Sequence, residues 1–159
     1  LVGSEMCIRD SSKNVALIAS YIAKFGDAQA LPRMMQALED PAINYLDYVE
    51  IANAVRALGA KSVVVTSAVV DGQNSVIGYD HVAGKYFTIP FDLIPVYFPG
   101  TGDTFSAVLV GRVMAGWSLQ RATADAMRVV AELIERNADQ EDKSAGLPIE
   151  ACLDVIDHE

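Results

Sequence analysis

Chemistry-bearing residues gather in one stretch of the chain, Pro99-Gly100-Thr101-Gly102-Asp103-Thr104-Phe105. Two glycines around a threonine let the backbone turn sharply and bring several N–H groups to one point. Phe105, Val108, Leu109, Val113 and Met114 follow at helical spacing, so the turn opens a helix, expected to start near Asp103 and to run over about 104–115. The positive end of that helix faces the same point. Such a site suits a transferring phosphoryl group, and Asp103 adds a carboxylate able to take a proton from a substrate hydroxyl. The structural alternative is a tight turn with Asp103 as N-cap, a role that aspartate fills well.

Several elements must position this turn. Val15–Ile22 reads as a buried strand, and Asp27 precedes a helical pattern through Leu38 that Asp40-Pro41 breaks. A helix is expected from about Leu46 to Leu58, stopped by Gly59. Lys61–Thr66 is apolar enough for a fully buried parallel strand, which would set Thr66 and Ser67 at its carboxyl end, where ligands collect in open α/β sheets. A hydroxyl there also serves simply to cap loop backbone. Asp71-Gly72 marks a turn, and Ser75–Tyr79 and Lys85–Ile89 read as a hairpin. Leu93–Phe98 then leads into the glycine turn as an apolar wall. After it, Gly116-Trp117-Ser118 separates the first helix from a second over about 119–136, with Ser118 as N-cap and Leu119, Ala122, Ala126, Met127, Val130, Leu133 and Ile134 on one face. Asp139–Ala145 is a polar loop, and Ile149–Ile156 a short closing helix.

The bulk numbers narrow the class. At 159 residues and 52% hydrophobic content, one domain with a packed core is expected. A net charge of −9, from 12 basic and 21 acidic residues, argues against nucleic acid or an anionic membrane surface as partner. Cys7 and Cys152 show neither metal spacing nor a disulfide framework, and the composition leads us to expect a soluble, cytoplasmic protein. His81 and His158 have no partner in spacing and are assigned to solvent. Residues 1–11 fit nothing downstream and read as a non-native tail, leaving 12–159 as a single, partial α/β domain. No Gly-x-Gly-x-x-Gly follows a strand, which disfavours a dinucleotide fold of the Rossmann type.

Val63-Val64-Val65-Thr66-Ser67, the Pro99–Phe105 turn and the helical pair after it resemble the ATP-binding half of pyridoxal kinases in the ribokinase-like superfamily. The similarity extends over roughly 45–155, and more loosely over 14–40. Related sugar kinases more often show Gly-Ala-Gly-Asp at this turn, and hydroxymethylpyrimidine kinases Gly-Thr-Gly-Cys. The pair Thr101 and Asp103 therefore favours the pyridoxal branch. The resemblance implies an incomplete three-layer α/β sandwich, with a mostly parallel sheet and helices on both faces.

It also implies roles. Asp103 becomes the general base on the 5′-hydroxymethyl group of pyridoxal, pyridoxine or pyridoxamine. Gly100, Thr101 and Gly102 form the anion hole for the ATP phosphates, and Thr66 and Ser67 lie against them. Ile94, Phe98 and Phe105 line the nucleotide pocket, although apolar residues there are more often plain core. Tyr21 falls where the family touches the pyridine ring, with Ser20 in place of the usual glycine. The implied co-substrate is ATP with Mg²⁺, a monovalent cation is left open, and a homodimer is the family's assembly. The family's Asp-Pro-x-x-Gly-Asp and Asn-x-x-Glu segments are not found, so no metal ligand is assigned and the chain reads as a C-terminal portion. The competing readings are a hydroxymethylpyrimidine or sugar kinase of the same superfamily, or a nucleotide-binding domain without activity.

Overall fold

The computed structural model describes residues 44–57 and 59–157, which fall into two units divided between Asp92 and Leu93. The strand and helix expected within 14–38 lie outside the described residues, as do Tyr21, Cys7 and His158.

The first unit opens with a reciprocal cap. Asn44 Oδ1 accepts from the N–H groups of Leu46 and Asp47, at 2.9 and 3.4 Å, while Asp47 Oδ2 accepts from the Asn44 N–H at 2.9 Å. Helix α1, Tyr45–Ala57, starts there. It stops where Gly59 turns left-handed (φ 107°), its N–H donating to Arg56 O and that of Ala60 to Val55 O. The face bearing Tyr48, Ile51 and Ala54 packs against Val65, Ala68 and Ile77 of the sheet. Of these, Ile51, Val65 and Ile77 each contribute about 1.5–3 kcal/mol by burial.

That sheet is a meander of β1 (Val63–Val70), β2 (Gln73–Asp80) and β3 (Lys85–Pro90) in the order β1-β2-β3. The hairpin expected over 75–89 is β2 and β3, and exposed His81 sits in its turn. The expectation for Lys61–Thr66 is corrected. The strand runs on to Val70, and it pairs antiparallel with β2 through the two-residue turn Asp71-Gly72, both at positive φ. Among the described residues, both strand pairings are antiparallel.

A bulge explains the misreading. Val65 pairs with Ile77 and Ala68 with Ser75, so Thr66 and Ser67 together oppose one residue. Strict alternation would send Val65 and Ala68 to opposite faces, yet both are buried, at 7% and 0% exposure. Ser67 absorbs the extra residue in a left-handed conformation (φ 58°). Tyr48 supports the bulge from α1: its buried hydroxyl accepts the Val69 N–H at 3.1 Å. On the opposite face Gly78 stands across from Phe87, whose ring lies 2.2 Å from where a Cβ on Gly78 would be.

In the second unit, Leu93–Phe98 is not the expected apolar wall, since Leu93 and Tyr97 are 69% and 79% exposed and only Phe98 is fully buried. Helix α2 spans Thr101–Met114 and α3 spans Leu119–Arg136. Gly116 ends α2 with the same left-handed motif as Gly59, and Ser118 caps α3 by accepting from the Arg121 N–H. The stripe Ala126, Val129 and Leu133 of α3 packs with Val108 of α2 and with Cys152 and Val155 of a 3-10 helix, Ile149–Val155, and Ala122 on the same helix as the stripe is also fully buried. The stripe therefore includes Val129, while Met127, Val130 and Ile134 are half-buried at its margin.

Charges fasten the chain end to this pair. Asp125 holds Arg112 at 2.7 Å and Arg128 at 2.9 Å. Those arginines donate onward to the carbonyls of Ile156 and Val155. Burial by itself would raise the Asp125 carboxyl pKa, but the two guanidiniums outweigh it and hold the group below the usual carboxylate range.

Two outcomes test this account. Tyr48→Phe leaves the Val69 N–H without its acceptor and should cost about 1 kcal/mol in urea unfolding; an unchanged midpoint would show that the bulge does not depend on that hydroxyl. Asp125→Asn should cost about 1–3 kcal/mol at neutral pH. Because the folded-state pKa of Asp125 is depressed, its contribution is complete above the ordinary carboxylate pKa of about 4 and disappears as pH falls through the lower folded value. The gap between wild type and Asp125→Asn should therefore be constant from pH 7 to about 4 and close below it.

Candidate phosphate-binding turn

Gly100 sets the geometry of the turn. At φ 83° and ψ 3° it lies in the left-handed region, and it serves as the N-cap of α2 without any side-chain cap. The helix begins at Thr101, two residues before its expected start, and Asp103 becomes the third helical residue. The N-cap alternative for Asp103 is thereby removed. The reason is conformational: a left-handed glycine ends the extended lead-in at once, so helical dihedrals begin with the next residue.

The first intrahelical bond runs from the Thr104 N–H to Gly100 O at 2.9 Å, and the Thr104 hydroxyl donates to the same carbonyl at 3.0 Å. The Ser106 hydroxyl donates to Gly102 O at 2.8 Å. These bonds hold the carbonyls toward the helix. The N–H groups of Thr101, Gly102 and Asp103 precede any intrahelical acceptor and find none among the described residues. Among the described residues nothing lies within 4 Å of where a Cβ would stand on Gly100 or Gly102, so the backbone is open there to close approach. The Asp103 side chain is exposed and makes no hydrogen bond or ion pair with the described residues. Three free donors at a helix N-terminus, in reach of solvent, can bind a phosphate oxygen.

The other sequence-assigned residues fall out differently. Phe98, 1% exposed, immediately precedes the turn, with Lys143 Nζ 5.9 Å from its ring centroid. Ile94 is half-buried in a local turn, its carbonyl accepting the Val96 N–H at 2.8 Å. Phe105 is half-buried and packs against the core of α2, α3 and the 3-10 helix. Thr66 and Ser67 belong to the first unit and are both exposed. They sit at a bulge in mid-strand, not at the carboxyl end of a parallel strand. Non-glycine residues held left-handed, as Ser67 is, concentrate at functional sites. Sequence reasoning passed over Thr104, whose signal was a hydroxyl four residues after a glycine.

Among the described residues no three His, Cys, Asp or Glu side chains gather to hold an ion. No helix among the described residues is long and apolar enough to cross a membrane.

A helical pair preceded by an open glycine turn has counterparts among proteins of known family. The model of the phosphomethylpyrimidine kinase family matches residues 30–147, and the chain belongs to that family. In fold it is similar to a provisionally assigned phosphomethylpyrimidine kinase of Bacteroides thetaiotaomicron, with a TM-score of 0.69 and 23% identity over 96% of this chain and 55% of that one. A second crystal form of that protein, with pyridoxal, gives 0.62 and 24% over 99% and 58%. Pyridoxal kinase from Lactobacillus plantarum gives 0.55 and 20% over 82% and 54%. The chain thus spans little more than half the length of these structures, and its architecture is ribokinase-like and partial. No curated protein sequence matches it.

The turn itself makes a prediction. Gly100→Ala has room for its methyl group but not a favourable φ, and should destabilise by about 1–2 kcal/mol. Gly100→Asn, which tolerates this region, should lose less. Equal losses in urea unfolding would mean that φ is not what selects glycine here.

Proposed function

We propose that the chain is the ATP-side portion of a kinase that phosphorylates the 5′-hydroxymethyl group of pyridoxal, pyridoxine or pyridoxamine. The observation that carries this is the pairing of three backbone donors, on Thr101, Gly102 and Asp103, with an exposed carboxylate on that same first helical turn, none of them with a partner among the described residues. Phosphoryl transfer asks little covalent work of a protein. It asks for positioned groups and compensated charge.

In this reading the Asp103 carboxylate accepts the hydroxyl proton as the substrate oxygen bonds to the γ-phosphorus of ATP. The bond from that phosphorus to the β,γ-bridging oxygen breaks, and ADP leaves with the bonding pair. The turn donors compensate the charge spread over the moving phosphoryl oxygens. Thr66 and Ser67 are assigned to the phosphates, Ile94, Phe98 and Phe105 to the nucleotide side, and Tyr21 to the vitamer. A divalent ion, carried by the nucleotide, would supply further charge neutralisation. A cytoplasmic location and a homodimeric assembly belong to the same proposal.

A second reading is phosphorylation of a hydroxymethylpyrimidine, favoured by the family model itself. Asp103 at the turn, where that branch more often has cysteine, and the pyridoxal-containing crystal form of the Bacteroides protein support the vitamer reading.

Mass-spectrometric product detection from ATP, Mg²⁺ and a panel of pyridoxal, pyridoxamine, hydroxymethylpyrimidine and ribose separates the two. The expected product is a vitamer phosphate, with Asp103→Asn slower by about 10²–10⁴-fold and ATP affinity kept or improved. Full activity of Asp103→Asn would remove Asp103 as base. Product from the pyrimidine alone would select the second reading.

A further inference from the structure

The loop Asp139–Gly146, polar and unremarkable in sequence, is held against the residues that lead into the phosphate turn. It is internally braced. Lys143 Nζ donates to Gln140 O at 2.6 Å, the Ser144 N–H donates to Asp142 Oδ1 at 2.8 Å, and the Gly146 N–H donates to Lys143 O at 3.1 Å. Two points of this loop meet the lead-in. Lys143 Nζ stands 5.9 Å from the Phe98 ring centroid, and Gly146 lies against the next residue along, Pro99.

The second contact is the sharper constraint. Gly146 is buried and left-handed, with φ 82°. A Cβ at this position would come 2.9 Å from the carbonyl oxygen of Pro99. That atom is backbone, so it yields only if a peptide plane turns. The proline ring fixes its own φ, which leaves ψ of Pro99 and φ of Gly100 to move. Both rotate the peptide between Pro99 and Gly100, and the left-handed dihedral of Gly100 is what starts α2 and aims its free donors. Among the described glycines at positive φ, Gly59, Gly72, Gly84, Gly100 and Gly116 would place a Cβ in open space. Gly146 alone in this group meets an atom within 4 Å.

We infer that Gly146 is a positioning residue for the phosphate turn: its missing side chain lets the loop seat against Pro99 O and hold Gly100 in the dihedral that opens the donors of Thr101–Asp103. This deepens the functional reading above and rests on it for its consequence in nucleotide binding. The geometric part stands apart from that reading.

The test compares Gly146→Ala with Gly116→Ala in the full chain. Both place alanine at positive φ, and only the first adds the clash with Pro99 O. Amide chemical shifts of Gly100, Thr101, Gly102 and Asp103 report the turn, and calorimetric titration with ATP and Mg²⁺ reports binding. Gly146→Ala should move those four amides and weaken ATP at least about tenfold, whereas Gly116→Ala should do neither. Equal responses of the two variants, or unmoved amides in Gly146→Ala, overturn the inference. Lys143→Gln loosens the same loop without backbone strain and should move the same amides less far, which keeps the test available if Gly146→Ala does not fold; unmoved amides there also overturn it. A wild-type chain that binds no ATP overturns the phosphate-site reading, while the amide shifts still decide whether Gly146 positions the turn.

Discussion

The left-handed dihedral of Gly100 is the constraint on which the site depends. With φ at 83° the chain leaves an extended lead-in and enters a helix within one residue. The helix then begins on Thr101, and its first three N–H groups are left without acceptors among the described residues. Thr104 secures the arrangement by directing both its N–H and its hydroxyl to Gly100 O. A side chain at Gly100 would cost conformational energy, and one at Gly102 would occupy space that is open among the described residues. The glycines and the donors are consequences of one backbone geometry.

The helix that carries the turn needs a rigid base, and two kinds of force supply it. Apolar packing sets Val108 against the α3 stripe and the 3-10 helix. The Asp125 carboxylate then draws in Arg112 from α2 and Arg128 from α3, and each arginine also donates to a carbonyl at the chain's end. A mostly buried carboxylate with two guanidiniums has its charge matched and its lone pairs used, the condition under which such a group does not destabilise its surroundings. Trp117, in the link between the helices, has the guanidiniums of Arg121 and Arg112 at 3.6 and 5.0 Å from its ring centroid.

Ser67 presents the other departure from ordinary backbone. A serine held left-handed costs about 1–2 kcal/mol, and here it allows β1 to bury Val65 and Ala68 on one side while Thr66 and Ser67 stay exposed. The bulge also accounts for their exposure without any ligand, because two residues facing one cannot both follow the pleat.

Much of the fold was legible in local chemistry. Gly59 and Gly116 as helix stops, Ser118 as a cap, the β2–β3 hairpin and the amphipathic α3 all rest on interactions within a few residues, which sequence spacing encodes directly. The glycine turn was legible for the same reason, although its helix starts at Thr101, since glycine permits a left-handed dihedral without announcing it. What the sequence could not display is whatever depends on residues far apart in the chain. The continuation of β1 past Thr66 depends on a bulge braced by Tyr48, 21 positions from Val69. The exposure of Leu93 and Tyr97 depends on which side of an irregular segment meets the core. The seating of Gly146 against Pro99 O exists only after α2 and α3 have folded back on each other. Residue types and short spacings determined the chemistry this chain can offer. Tertiary packing decided where its donors point, because a backbone carbonyl and an absent Cβ leave no mark in the sequence until they meet.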